Sequence, residues 1–272
     1  MNVNGGRAVH YRCDESSDWY PDIADITAKV TARTRAIVII NPPNNPTGAV
    51  YPPEVLTGIL DIAREHNLIV CSDEIYDKIL FDDAVHITTA SLAPDLLCLT
   101  FNGLSKAYRC AGFRAGWLAV SGPTDHAVSY LDGLTTVAGL RRCANAPAQQ
   151  AIRIALEADR SGHDLTLPAG LLQDQRDRAW AALNSIPGGV SCVKPRGARC
   201  TRSPRSTSTC IRSATTSSSF WTCCCRRRFT SSPGTGLSWP EPDHVRIVTL
   251  PSAEELETTI ASIGGFLATY RQ

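Results

Sequence analysis

The chain has 272 residues, 43% of them hydrophobic, and a formal net charge of +1. That length suffices for one large domain or two modest ones with a sizeable core, and the near-neutral charge gives no reason to expect nucleic acid or an anionic membrane surface as partner. No apolar run approaches the roughly 20 residues of a membrane helix, and the N-terminus shows no basic region followed by an apolar stretch, so a cytoplasmic protein is expected.

Residues 1–35 read as a polar lead-in with one helix near Ile23 to Val30. Ala36 to Ile40 is a wholly apolar strand of the kind buried on both faces of a parallel sheet. It runs into Asn41-Pro42-Pro43-Asn44-Asn45-Pro46-Thr47-Gly48, where the prolines allow neither strand nor helix to continue. Pro52-Pro53 opens a helix, with Val55, Leu56, Ile59, Leu60 and Ala63 at helical spacing. Leu68 to Cys71, ending at Asp73, is the next strand, and Leu97 to Phe101 and Trp117 to Val120 follow. Strand, helix, strand in this order predicts an α/β sheet with its ligand at the carboxyl ends of the strands.

Beyond residue 124 the pattern turns helical, over 125–138, 144–158 and 169–185. Pro187-Gly188-Gly189 ends the last of these, and a short strand is expected over Val190 to Val193. His244 to Leu250 reads as a strand, and Ser252-Ala253-Glu254-Glu255 as a capping box before a helix over 253–269. Residues 1–165 therefore form a large domain and 166–272 a smaller α+β domain. Within the latter, Arg199 to Ser232 contains no Asp, Glu, Lys, Gly, Leu or Val and is dominated by Arg, Ser, Thr and Cys. With no helical or strand period, 199–233 reads as aberrant or disordered, either a basic interaction loop or a frame-shifted stretch. The 11 cysteines are scattered, or adjacent as in Cys223-Cys224-Cys225. Adjacent thiols cannot all face one tetrahedral ion, so no metal site is expected.

Three polar groups follow three strand-like runs in order. Phe101-Asn102-Gly103-Leu104-Ser105-Lys106, with Arg114 beyond it, puts a lysine just past an apolar strand. Desolvated there, it can lose its proton and attack a carbonyl to form a Schiff base. Asp73, also at a strand end, is a carboxylate that needs a partner, such as the pyridine nitrogen of pyridoxal phosphate. Its plainer reading is the N-cap of a helix over Glu74 to Ile79. Asn45 and Tyr76 can donate to that cofactor's phenolate oxygen; the alternatives are a turn residue and a packed core tyrosine. Ser105 and Arg114 suit a phosphate, although Arg114 also reads as a surface cation. Arg246, in the alternating strand His244 to Val248, is either a clamp for a substrate carboxylate or a solvated strand charge.

On Asn41 to Gly48, Ser72 to Tyr76, Asn102 to Trp117 and Val245 to Ser252, the chain resembles the fold-type I, class I/II aminotransferases, and within them the alanine and aspartate aminotransferase branch. The resemblance implies a three-layer αβα large domain with a mainly parallel sheet, incomplete here, over 1–165, and a small domain after it. It implies pyridoxal 5′-phosphate as cofactor and transfer of an amino group from an alanine- or aspartate-like amino acid to a 2-oxo acid such as 2-oxoglutarate. Lys106 would be the Schiff-base lysine, Asp73 the partner of the ring nitrogen, Asn45 and Tyr76 those of the phenolate oxygen, Arg114 of the phosphate and Arg246 of the substrate carboxylate. A homodimer is implied as well. Gly103 stands where some relatives carry serine. Family members extend further at the N-terminus, so the expectation is a chain beginning within the large domain, without the family's terminal arm, phosphate-binding helix start, ring-stacking aromatic or cross-dimer tyrosine. A lyase of the same fold and an inactive relic are the alternatives.

Overall fold

A computed structural model describes residues 5–82, 84–140, 142–158, 164–186, 208–212, 232–233 and 244–269. The chain forms two compact units, one comprising Met1–Pro43, Tyr51–Ile79 and Val85–His163, the other Asn44–Val50, Leu80–Ala84 and Asp164–Gln272.

The first unit opens with a two-stranded ribbon, β1 (Cys13–Asp14) and β2 (Tyr20–Pro21), where a lead-in without strands was expected. Helix α1 (Ile23–Lys29) is capped by Asp22, whose side chain accepts from the Asp25 amide. Four strands make the sheet: β3 (Ala36–Ile40), β4 (Ile69–Asp73), β5 (Cys98–Gly103) and β6 (Gly116–Ser121), in that spatial order. The first three are parallel, and β6 runs antiparallel to β5. Helix α2 (Pro53–Glu65) makes the crossover from β3 to β4. It buries Leu56, Ile59, Leu60, Ile62 and Ala63, each large aliphatic contributing about 1.5–3 kcal/mol.

Burial of β3 on both faces is not what the structure shows. Ile37 and Ile39 are buried while Ala36 and Val38 are exposed. Apolar composition alone cannot distinguish a strand covered twice from one covered once. The antiparallel pair β5–β6 closes on two facing glycines, Gly103 and Gly116. A Cβ on Gly103 would lie 2.8 Å from the Ala115 carbonyl oxygen, so this backbone admits no side chain there. The chain leaves β6 at Gly122, whose φ of +84° and contact with the Leu96 carbonyl both require glycine. Helices α3 (Val128–Gly139) and α4 (Ala146–Ala158) follow, and Val128, Val137, Ile154 and Leu156 among their apolar residues are exposed. No helix among the described residues is long and apolar enough to cross a membrane.

In the second unit, α5 (Leu171–Asn184) packs on α6 (Ala253–Thr269) through Ala179, Leu183, Leu256, Ile260, Ile263 and Phe266, with Ile186 completing the cluster. The capping box forms: the Glu255 amide donates to Ser252 Oγ (3.3 Å), and the Ser252 amide donates back to Glu255 Oε2 (3.0 Å). Arg176 on α5 is buried, forks onto Asp82 (3.0 and 3.3 Å) and lies over the Phe81 ring, 4.6 Å from its centroid. Strands β7 (Ser208–Arg212), β8 (Ser232–Pro233) and β9 (His244–Val248) form an antiparallel sheet in the order β7-β9-β8. The interval 199–233 was expected to lack regular structure, and its two described pieces are strands. Thr209 and Ile211 are β-branched, and β9 supplies the ladder that no local period announces. The strand expected over Val190 to Val193 lies outside the described residues.

Candidate functional site

Strands β3 and β4 end together, with Ile40, Asp73 and Phe101 in register across the sheet, and β5 runs on two residues to Gly103. Such a shared carboxyl edge is where open α/β sheets hold ligands. The Asn41 amide donates to the Asp73 carbonyl (3.1 Å) and the Glu74 amide to that of Phe101 (2.9 Å), which carries the alignment one residue past β3 and β4.

Asp73 is half-buried. Its Oδ1 accepts from the Ile75 amide at 3.2 Å, an Asx turn, and residues 75–78 form a turn in place of the helix that an N-cap reading requires. Among the described residues no cation pairs with it. Burial pushes its carboxyl above the ordinary value of 3.8, the neighbouring Glu74 charge adds to this, and the Ile75 amide opposes it. Glu74 faces the other way. By strand alternation it continues the buried row Val70, Ser72, and each of its oxygens is used. Oε1 accepts from Ser72 Oγ (2.9 Å) and the Thr89 amide (3.0 Å), and Oε2 accepts from His86 Nε2 (2.9 Å).

Tyr76 is buried, and the Lys106 ammonium lies 5.6 Å from the centroid of its ring. Lys106 sits with Ser105 on the turn after β5. The expectation of a desolvated lysine is not met in this arrangement. Lys106 is exposed, because Leu104, Ala107 and Tyr108 are the residues of this turn that point into the core. Arg114 is also exposed, at a φ of +51°, and its Nη1 donates to the Ala111 carbonyl (2.9 Å). Asp73, Tyr76, Ser105, Lys106 and Arg114 thus share the first unit, whereas Asn45 and Arg246 belong to the second. Asn45 follows the buried Asn44, whose Oδ1 accepts from Thr47 Oγ1 (2.9 Å). Arg246 is placed by its backbone in β9, opposite Cys210.

Sequence reasoning missed the polar residues that tie the turn after β4 to the end of β5 and the turn beyond it. Asn102 Nδ2 donates to Asp77 Oδ2 (3.0 Å), its Oδ1 accepts from the Gly103 amide (2.7 Å), and the Lys78 ammonium donates to the Tyr108 hydroxyl (2.6 Å). Burial raises the Asp77 carboxyl as well, against the Asn102 bond. The one signal available was spacing: Tyr76 and Lys78 on one segment match Lys106 and Tyr108 on the other.

A family model described as aminotransferase class I and II matches residues 1–263. The alanine aminotransferase of Mycobacterium tuberculosis is 53% identical over 271 residues, which cover 100% of this chain and 62% of that protein. The glutamate-pyruvate aminotransferase AlaA of Escherichia coli is 52% identical over 272 residues, 100% of this chain and 66% of that one. A crystal structure of an Escherichia coli aminotransferase superposes with a TM-score of 0.92 at 49% identity, covering 99% of this chain and 66% of that one. The chain therefore spans 62% to 66% of the length of these relatives.

Proposed function

We propose, from the premise that this chain belongs to the class I and II aminotransferases, that it takes part in moving an amino group from an amino acid to a 2-oxo acid. An alanine- or glutamate-like donor is the reading favoured by the names of its relatives, with pyruvate or 2-oxoglutarate as acceptor. The cofactor of the class is pyridoxal 5′-phosphate. When bound, it supplies an electrophilic carbonyl carbon and a ring that withdraws electrons from it.

The observation that carries this reading is the half-buried Asp73 carboxylate, which has no cation of its own among the described residues. A buried carboxylate of this kind is stabilised by a ring N–H⁺, and in turn holds that proton in place. The residues fit the group on a second count: Lys106 supplies an amine on the turn after the neighbouring strand, against the Tyr76 ring. In this proposal Lys106 Nζ would hold the cofactor at its carbonyl carbon, and its free amine would take and return a proton at the substrate's α-carbon. Tyr76 and Asn45 donate to the phenolate oxygen, Ser105 and Arg114 hold the phosphate, and Arg246 pairs with the substrate carboxylate. A homodimer in the cytoplasm completes the proposal. The lyase alternative draws no support from relatives that are named aminotransferases.

Borohydride reduction of the chain with pyridoxal phosphate, followed by peptide mass spectrometry, tests the assignment. Label at Lys106, lost in Lys106→Ala, is expected, together with transfer from alanine to 2-oxoglutarate. A folded chain that takes no selective label is the result that sinks it and leaves the inactive relic.

A further inference from the structure

Lys106 is exposed on a flexible stem, and its turn is held from within by only a few backbone bonds. The Arg109 amide donates to the Lys106 carbonyl (3.0 Å), the Cys110 amide to that of Leu104 (2.9 Å), and the Leu104 amide to that of Ala115 (3.1 Å). What sets this turn against the segment bearing Tyr76 is polar and comes from outside it. Lys78 lies two residues beyond Tyr76, and Tyr108 two beyond Lys106. The Lys78 ammonium donates to the Tyr108 hydroxyl at 2.6 Å, while the Tyr108 ring is buried among Leu104, Ala107, Ala115 and Ala148. A charged donor on a ring that cannot move is a rigid link. The Asp77–Asn102 bond anchors the same two segments one step earlier.

We propose that Lys78 is a positioning residue: through Tyr108 it fixes the turn that presents Lys106 to the Tyr76 ring. The proposal rests on the reading of Lys106 given above. Lys78 touches no reacting atom in it and acts through Tyr108 alone.

Lys78→Met and Tyr108→Phe remove the link while keeping bulk and core packing. In the full chain without added cofactor, amide hydrogen exchange at Leu104, Arg109 and Cys110 is expected to quicken about tenfold in either variant, one hydrogen bond's worth of local opening. The double variant should go no faster, because both changes cut the same bond. Lys78→Arg, which can still donate to the hydroxyl, should restore the slow exchange. At limiting pyridoxal phosphate, borohydride labelling of Lys106 should fall in Lys78→Met and recover in Lys78→Arg. Unchanged exchange in both single variants overturns the proposal. Faster exchange with unaltered labelling also overturns it, since Lys78 would then hold the turn without positioning Lys106. A wild-type chain that takes no label at Lys106 overturns the cofactor reading instead, and the exchange rates still decide whether Lys78 holds the turn.

Discussion

Asp73 and Glu74 are neighbours in the chain and opposites in the structure. One strand step separates the half-buried Asp73 from the buried Glu74, which packs on Thr89 and His86. On the inner face Glu74 has every oxygen occupied by donors from Ser72, Thr89 and His86. On the site face Asp73 has one backbone amide, and burial raises its carboxyl. A carboxylate whose partners are all supplied by the fold serves the fold. One left short of partners is held ready for a charge that comes from elsewhere.

Removing the inner carboxylate should cost the most. Glu74→Ala leaves the Ser72 hydroxyl, the Thr89 amide and His86 without their acceptor, and is expected to lower stability to urea by about 3 kcal/mol or more. Asp73→Asn should do the reverse: pyridoxal phosphate binding weakens on the order of ten- to a hundred-fold, the worth of one charged hydrogen bond, while the urea midpoint does not fall. If Asp73→Asn destabilised the chain as much as Glu74→Ala, the contrast between the two faces would be lost. His86→Ala strips one partner from Glu74 and should cost about 1–3 kcal/mol in the same unfolding measurement, with cofactor binding unaffected.

The smallest expected effect is one of pH. Because the folded state raises the Asp73 carboxyl above its ordinary 3.8, the native chain holds more protons there than the unfolded chain does. Stability from this group is then present at low pH and is lost as pH rises through the raised value. Urea midpoints of wild type and Asp73→Asn should therefore diverge from about pH 4 upward, the variant being the more stable. Asp77 is raised in both chains and cancels. Midpoints that run parallel across this range would show that Asp73 carries no burial strain.

What could be read from sequence was local. Ala36 to Ile40 and the helix 253–269 lie where pattern puts them, because apolar runs, Pro52-Pro53 and the Ser252–Glu255 box act within a few residues. The positions of the two proposed site residues along the chain were also legible, since Asp73 closes β4 and Lys106 lies on the turn just past β5. What was not legible depends on distance. The Lys78–Tyr108 bond spans 30 positions and the Glu74–His86 bond 12, and no local period encodes either. The exposure of Val38 and of Lys106 likewise depends on what covers them, which pattern does not specify. In 199–233, the strand 208–212 owes its order to β9, over thirty residues downstream.

The fork from Arg176 to Asp82 has a consequence for anyone who would cut this chain. The second unit is not a contiguous piece of sequence, since Leu80–Ala84 belongs to it although 79 residues separate Ala84 from Asp164. A fragment excised from residue 164 onward would keep the Arg176 guanidinium and its bond to Asp177 (2.8 Å) but lose the Asp82 fork and the Phe81 ring it lies over. Removing one partner of a buried ion pair costs up to about 3–5 kcal/mol, and less where a second carboxylate remains, still a sizeable share of what a domain of that size can spare. The C-terminal half is therefore not a module to be expressed or transplanted by itself, and a protease that nicked the chain near residue 160 would be expected to leave two pieces still bound together.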